Sequence, residues 1–183
     1  MSDSTDEIKA SSTKVCVTGA SGFIAAHIVK QLLDAGYHVK ATVRSEASRY
    51  PYLTSLDGAA ERLEFAQASL QDNGAFDDIV ADCDVVMHTA SPYIVNVKDP
   101  QKDLVDPAVH GTTNVLESCA KSARVKRVVL TSSMAAITDE ASNETTFSET
   151  NWNTKSDLKR NPYYYSKTLA ERSAWDFIEK KKP

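Results

Sequence analysis

The chain lacks any apolar run near the roughly 18 to 20 residues that span a bilayer, so no membrane-spanning helix is expected. Its first residues, Met1 to Glu7, show neither the basic nor the apolar stretch of a secretory leader, and a soluble, cytoplasmic protein is the expectation. A dominant charge is also missing. Lys and Arg total 21 against 25 Asp and Glu, and a net charge of -4 gives no field that would draw nucleic acid or an anionic membrane. Any anionic ligand must be held by a local site. Cysteine is scarce: Cys16, Cys83 and Cys119 are odd in number, far apart and set in apolar segments, which predicts reduced, buried thiols and not disulfides. No Cys or His spacing resembles a metal site, and no metal is expected.

Residues 1 to about 13 are rich in Ser, Thr and charge, with Ile8 their only large apolar residue besides Met1, and are expected to form a flexible tail. The remaining residues, 14–183, suit one domain of ordinary size. There, short apolar runs at 14–18, 38–43, 63–66, 84–88 and 127–131 alternate with helical patterns. That alternation predicts an α/β fold, a doubly wound parallel sheet of Rossmann type with helices on both faces. The helix after the first strand should bury Ile24, Ile28, Val29, Leu32 and Leu33 and end at Gly36. The helix before the fifth strand places Ala108, Thr112, Val115, Leu116 and Cys119 on one side; a last helix, about 163 to 180, should bury Ala170, Ala174, Phe177 and Ile178. Two connections, roughly 91–103 and 135–161, are too long for simple turns. Both begin at carboxyl ends of strands, the edge where open α/β sheets bind ligands.

The segment from Val15 to Ala25 reads as a buried strand turning through a glycine-rich loop into a helix. Gly19 and Gly22 let the chain turn tightly and let a pyrophosphate approach the helix N-terminus, whose free N–H groups and dipole face the anion. The loop residues that would cradle it run through Ser21, Phe23 and Ile24. The spacing is Gly-x-x-Gly-x-x-Ala, a departure from the commonest dinucleotide fingerprint, which itself tolerates Ala at the third position. At the end of the second strand stands Val43-Arg44-Ser45. The Arg44 guanidinium suits the extra phosphate of NADP, with Ser45 and Arg49 near enough to assist, so NADPH/NADP+ is the expected cofactor. Glu46 is the alternative, as a ribose ligand for NAD.

Near the other end, Tyr163-Tyr164-Tyr165-Ser166-Lys167 opens the last helix. Tyr163 and Lys167 are four apart and face the same way; Tyr164, three away, could also face the lysine, so helical geometry alone leaves both open. A tyrosine loses its proton near pH 10, and a neighbouring ammonium favours the phenolate, which suits general acid/base work at neutrality. His88, ending a strand, reads as a hydrogen-bonded structural residue.

Thr18-Gly19-Ala20-Ser21-Gly22-Phe23-Ile24, His88-Thr89-Ala90-Ser91-Pro92, Thr131-Ser132-Ser133, and Tyr163 with Lys167 occur in one order. Together they resemble the extended short-chain dehydrogenase/reductase superfamily, within it the branch of dihydroflavonol reductases, cinnamoyl-CoA reductases and related NADPH-dependent carbonyl reductases. The resemblance implies Ser133, Tyr163 and Lys167 as the catalytic set, choosing Tyr163 over Tyr164, with Ser132 the weaker candidate for the serine. It implies that Thr89, Ala90 and Ser91 line the cofactor through backbone, that Ser69 and Leu70 lie near the adenine, and that Lys167 also holds the nicotinamide ribose. It further implies hydride transfer to the carbonyl of a small molecule, with a homodimer through the helices near 104–121 and 163–180 as the assembly found in relatives.

Departures accompany the likeness. Ser69 stands where relatives often carry aspartate, and no lysine follows Arg44. Asn161-Pro162-Tyr163-Tyr164-Tyr165-Ser166-Lys167 differs from the Asn-Trp-Tyr-Cys-Tyr-Gly-Lys typical of cinnamoyl-CoA reductases, which disfavours a thioester substrate. Family members also continue into a C-terminal substrate region not present in this sequence. That leaves two other readings, a non-catalytic nucleotide-binding module and a sugar-nucleotide epimerase or dehydratase, the latter opposed by Arg44.

Overall fold

The first strand, β1 (Lys14–Thr18), is apolar on both of its alternating faces, a pattern stable only where both faces are covered. The computed structural model describes residues 9–92, 97–140 and 144–181, and in it β1 is the middle strand of five. Val15 and Val17 pack on one side with Ala25, Val29 and Leu33 of α1 (Phe23–Asp34). Cys16 points to the other side, into a cluster with Phe76, Val80, Cys83, Val115 and Cys119.

The chain continues through β2 (His38–Val43), the short helices α2 (Pro51–Thr54) and α3 (Ala59–Arg62), β3 (Leu63–Gln67), α4 (Asp77–Val80) and β4 (Val85–His88). A π-type turn over Gln101–Val105 runs into α5 (Asp106–Lys121); then come β5 (Arg127–Leu130), a 3-10 turn over Met134–Ala136, and α6 (Pro162–Lys181). All strand pairs are parallel, in the order β3-β2-β1-β4-β5. This is the doubly wound Rossmann order, and the chain reverses its direction of travel across the sheet between β1 and β4. Every expected strand is present, with ends displaced by at most one residue.

The expected helix faces need two corrections. On α1 the buried stripe is Ala25, Val29 and Leu33, with Ile28 and Leu32 half-buried, while Ile24 is 58% exposed. The small Ala25 is the residue that lets this first turn lie against the strand, and Ile24, one step round the helix, faces outward at the sheet edge. On α6 Ala170 is buried and Ala174 and Phe177 are half-buried, but Ile178 is 44% exposed. The buried residues of α6 all lie in its first half, where it packs on α5 and on the Met134–Ala136 turn. The α5 face matches expectation throughout.

The three cysteines are free and buried, as expected. Burial, and secondarily Cys83, pushes the Cys119 thiol up to about 12, so it is inert at neutral pH. Of the expected N-terminal tail, residues 1–8 lie outside the described residues; Ala10–Ser12 form a 3-10 turn, and the Thr13 carbonyl accepts from His38 N at 3.2 Å. Among the described residues no helix is long and apolar enough to cross a membrane, and no group of residues could hold a metal ion.

Candidate cofactor and catalytic site

The loop after β1 is tied to strands on both sides. Gly19 N donates to Thr42 Oγ1 at 3.2 Å and Ala20 N to Thr42 O at 2.9 Å, which fixes the loop on the end of β2. Toward β4, Thr18 Oγ1 accepts from the backbone N–H groups of Thr89 and Ala90, each at 3.1 Å, and Thr89 Oγ1 donates to Thr18 O. Gly19 has φ +65°, and a Cβ there would meet Ala90 Cβ at 2.9 Å and Ala90 Cα at 3.0 Å. Only glycine meets both demands. Gly22 then caps α1 without a side-chain hydrogen bond, so among the described residues no side chain is bonded to the first N–H groups of that helix, at Phe23 and Ile24. Tyr52 closes the loop from outside, its hydroxyl donating to Ser21 O at 2.9 Å.

Arg44 leaves the end of β2 exposed, its carbonyl accepting from Gln67 Nε2 at 3.0 Å. Among the described residues no carboxylate lies within ion-pair distance of Arg44 or Arg49. Ser69 and Leu70 follow β3 in a half-buried turn on the neighbouring side of the same edge. Leu70 lies against Gly111 of α5, where a Cβ would stand 3.0 Å from Leu70 Cβ and Cδ1.

Behind β4 and β5 the polar groups converge. Lys167 is only 8% exposed, and its Nζ donates to Ser91 Oγ and Thr131 O, both at 3.4 Å. Burial lowers the affinity of this amine for its proton, and the Glu171 carboxylate one turn on opposes that effect. His88 is wholly buried; its Nδ1 lies 2.8 Å from Thr18 Oγ1, while Nε2 has no partner among the described residues. Burial first, and then the Lys167 charge, pushes its pKa down to about 4, so the ring is neutral and structural.

The two serines after β5 differ. Ser132 Oγ donates to Glu171 Oε2, whereas Ser133 heads the Met134–Ala136 turn and its Oγ accepts from Ala135 N at 3.2 Å. Tyr163 stands one helical turn before Lys167 on α6, its half-buried ring set edge-on to Tyr164 at 6.2 Å between centroids. The structure thus groups Ser91, Thr131, Ser132 and Lys167, and groups Gly19 with Thr89 and Ala90; Arg44, Ser69 and Leu70 lie farther out on the strand ends. The roomier hollow, about 470 Å³, borders the glycine-rich loop at the start of α1, lined by Ser21, Gly22, Phe23, His27 and Tyr52, and does not include Lys167.

Residues 15–182 match the model of the NAD dependent epimerase/dehydratase family. The chain belongs to that family. A cinnamoyl-CoA reductase of Medicago truncatula is 51% identical over 175 residues, 90% of this chain and 53% of that protein. A dihydroflavonol 4-reductase of Arabidopsis thaliana is 37% identical over 174 residues, 91% of this chain and 46% of that protein. The crystal structure of Gre2 from Candida albicans in complex with NADPH matches with a TM-score of 0.84 at 38% identity, covering 93% of this chain and 54% of that one. The motifs therefore led to the right family and branch. The chain spans about half the length of the curated relatives it matches.

Several positioning residues lie outside the family motifs. Asn114, 4% exposed on α5, donates to Leu70 O and Asp72 O and accepts from Gly74 N, which shapes the Ser69–Leu70 turn. The available signal was an amide beside the predicted buried face of a helix, a group that must find hydrogen-bond partners if it is covered. Asp139 accepts from Asn161, Arg160 and Ser156, and Asn153 donates to Ala135 O at 2.8 Å. These bonds tie the connection after Ser133 to the start of α6, directly before Tyr163. No spacing in the sequence marks them, because they pair across a long loop.

Proposed function

We propose that this chain is the dinucleotide-binding portion of an NADPH-dependent reductase acting on a small-molecule carbonyl compound. One observation carries the reading. Gly19 of the phosphate cradle packs on Ala90, and the next residue, Ser91, lies 3.4 Å from the amine of Lys167, so cradle and amine border one continuous edge. A dinucleotide fits there: the α1 N-terminus offers N–H groups with no side-chain cap from Gly22 to the pyrophosphate, and Arg44, with no carboxylate at ion-pair distance among the described residues, suits the phosphate that distinguishes NADP from NAD. That Gre2 was crystallised with NADPH supports this cofactor.

The reduced nicotinamide supplies the hydride when bound. The protein's part is to hold the carbonyl oxygen and to give it a proton. Ser133 keeps its own hydroxyl proton available, since its oxygen accepts from Ala135 N, whereas the Ser132 hydroxyl is engaged by Glu171. Tyr163 is the proton donor, and the Lys167 ammonium one turn away favours its phenolate. The relative named as a cinnamoyl-CoA reductase sets a thioester against the aldehydes and ketones that the Asn161–Lys167 motif favours. A cytoplasmic setting fits the reduced thiols, and pairing of two copies through α5 and α6 belongs to the same proposal.

The test follows NADPH oxidation with aldehydes, ketones and a CoA thioester, beside NADPH and NADH affinities measured by fluorescence. NADPH should bind more tightly than NADH, and Tyr163→Phe should cut turnover by about 100-fold or more with NADPH affinity unchanged. Undiminished turnover in that variant would remove the role given to the phenol. In a version extended to the length of the relatives, tight NADPH binding without turnover on any carbonyl would favour the non-catalytic module, and NAD retained through purification would favour an epimerase.

A further inference from the structure

Lys167 is a cation in an unusual position. It is 8% exposed, it has three protons to donate, and the two partners it reaches, Ser91 Oγ and Thr131 O, are neutral and distant at 3.4 Å each. Among the described residues no carboxylate forms a direct ion pair with it. A buried ammonium with only such partners is expensive to keep charged.

The carboxylate whose charge acts on Lys167 is that of Glu171, one turn further along α6. Its carboxylate is held in place from both sides: Oε2 accepts from Ser132 Oγ, and Oε1 accepts from Trp175 Nε1 at 3.3 Å. Between Ser91, Thr131, Ser132, Lys167 and Glu171 lies a space of about 10 Å³. That is close to the least volume that holds one water, and the polar groups around it suit one. The titratable groups facing Lys167 are His88 from β4 and, from its own helix, Tyr163 one turn before it and Glu171 one turn after; Thr112 of α5 and the Ser91 and Thr131 groups add only neutral dipoles.

We propose that Glu171 is a positioning residue for Lys167, acting across a single shared water, with Ser132 fixing the orientation of the carboxylate. The proposal rests on the reading of Lys167 as the partner of Tyr163. His88, held neutral, offers the ammonium no compensation, so the charge state of Lys167 depends on Glu171. Ser132 then has a task of its own, distinct from that of Ser133.

The test is the titration of Lys167 in this chain, followed by NMR of 13Cε-labelled lysine, in the unaltered protein and in Glu171→Gln, Glu171→Asp and Ser132→Ala. Glu171→Gln keeps the shape and the acceptor for Ser132 and removes only the charge; the Lys167 midpoint should fall by about one pH unit, a tenfold loss of proton affinity. Glu171→Asp should recover part of the shift, and Ser132→Ala should give a smaller fall in the same direction. An unchanged midpoint in a folded Glu171→Gln variant would overturn the proposal; should that variant fail to fold, an unchanged midpoint in Ser132→Ala would do so. No substrate enters this measurement. A shifted midpoint together with undiminished turnover in Tyr163→Phe would therefore sink the functional reading and leave the pairing standing.

Discussion

Thr18 Oγ1 already accepts two backbone N–H groups, so its own proton goes to His88 Nδ1, and the imidazole carries its proton on Nε2. This side-chain bond joins the ends of β1 and β4 beneath the cofactor loop, and it requires a neutral ring. With its pKa pushed down to about 4 by burial and by Lys167, His88 stays neutral in the fold, while the same side chain in the unfolded chain titrates near 6.5. Between those values the unfolded state binds a proton that the folded state does not, so stability is full above about pH 6.5 and falls as pH drops toward 4. Urea unfolding should show this decline, amounting to at most about 3 kcal/mol. His88→Gln should flatten that window; an unaltered slope would show that another group is responsible.

Among the elements, α5 shapes the outer half of the site without belonging to it. Gly111 lets the turn carrying Ser69 and Leu70 lie on the helix, and Asn114, one turn on, pins that turn by three hydrogen bonds. Ala in place of a mid-helix glycine gains about 1 kcal/mol of helix propensity, but its Cβ would press on Leu70 at 3.0 Å. The two effects oppose each other in stability and do not oppose each other in binding. Gly111→Ala should leave the melting temperature nearly unchanged and weaken NADPH binding by about three- to tenfold, through displacement of the turn. Calorimetry on the variant checks both, and unchanged affinity would detach Ser69 and Leu70 from the cofactor. The same division of labour holds at α6, where Asp139 and Asn161 set the start of the helix and Lys167 uses it.

Across the whole molecule, one charge cluster joins four segments of chain. Asp82, before β4, bonds Lys14 of β1 at 2.7 Å and Lys40 of β2 at 2.6 Å, and Glu64 of β3 lies 3.4 Å and 3.5 Å from the same two amines. Lys40 has a side chain only 8% exposed, so its ammonium depends on these carboxylates. Burial alone would raise the Asp82 pKa, yet the hydrogen bonds from Lys14 and Lys40 and their charges bring it down to about 2. A carboxyl depressed below its unfolded value stabilises the fold above about pH 3.9, and that contribution is lost as pH falls through the range down to 2. Asp82→Asn should cost on the order of 1 to 2 kcal/mol at pH 7, a figure discounted because the carboxylate is half exposed, and should shallow the acid limb below pH 4. Chemical denaturation at pH 7 and pH 3 measures both; equal losses at the two values would contradict the ionic origin.

The sequence by itself determined the strands, the parallel doubly wound sheet and the turn at Gly19, because apolar alternation and glycine spacing are local and each strand carries its own pattern. It also held Tyr163 and Lys167 together, since one helical turn separates them. Which side of a helix would be covered was decided by neighbours distant in the chain, and so Ile24 and Ile178 face outward despite sitting in the apolar pattern. Tertiary structure alone set the roles of the polar groups: Ser132 meets Glu171 across 39 positions, Lys14 meets Asp82 across 68, and Thr18 meets His88 across 70. A hydrogen bond or ion pair is a matter of a few ångströms between side chains brought together by packing, and no periodicity along the chain records that distance.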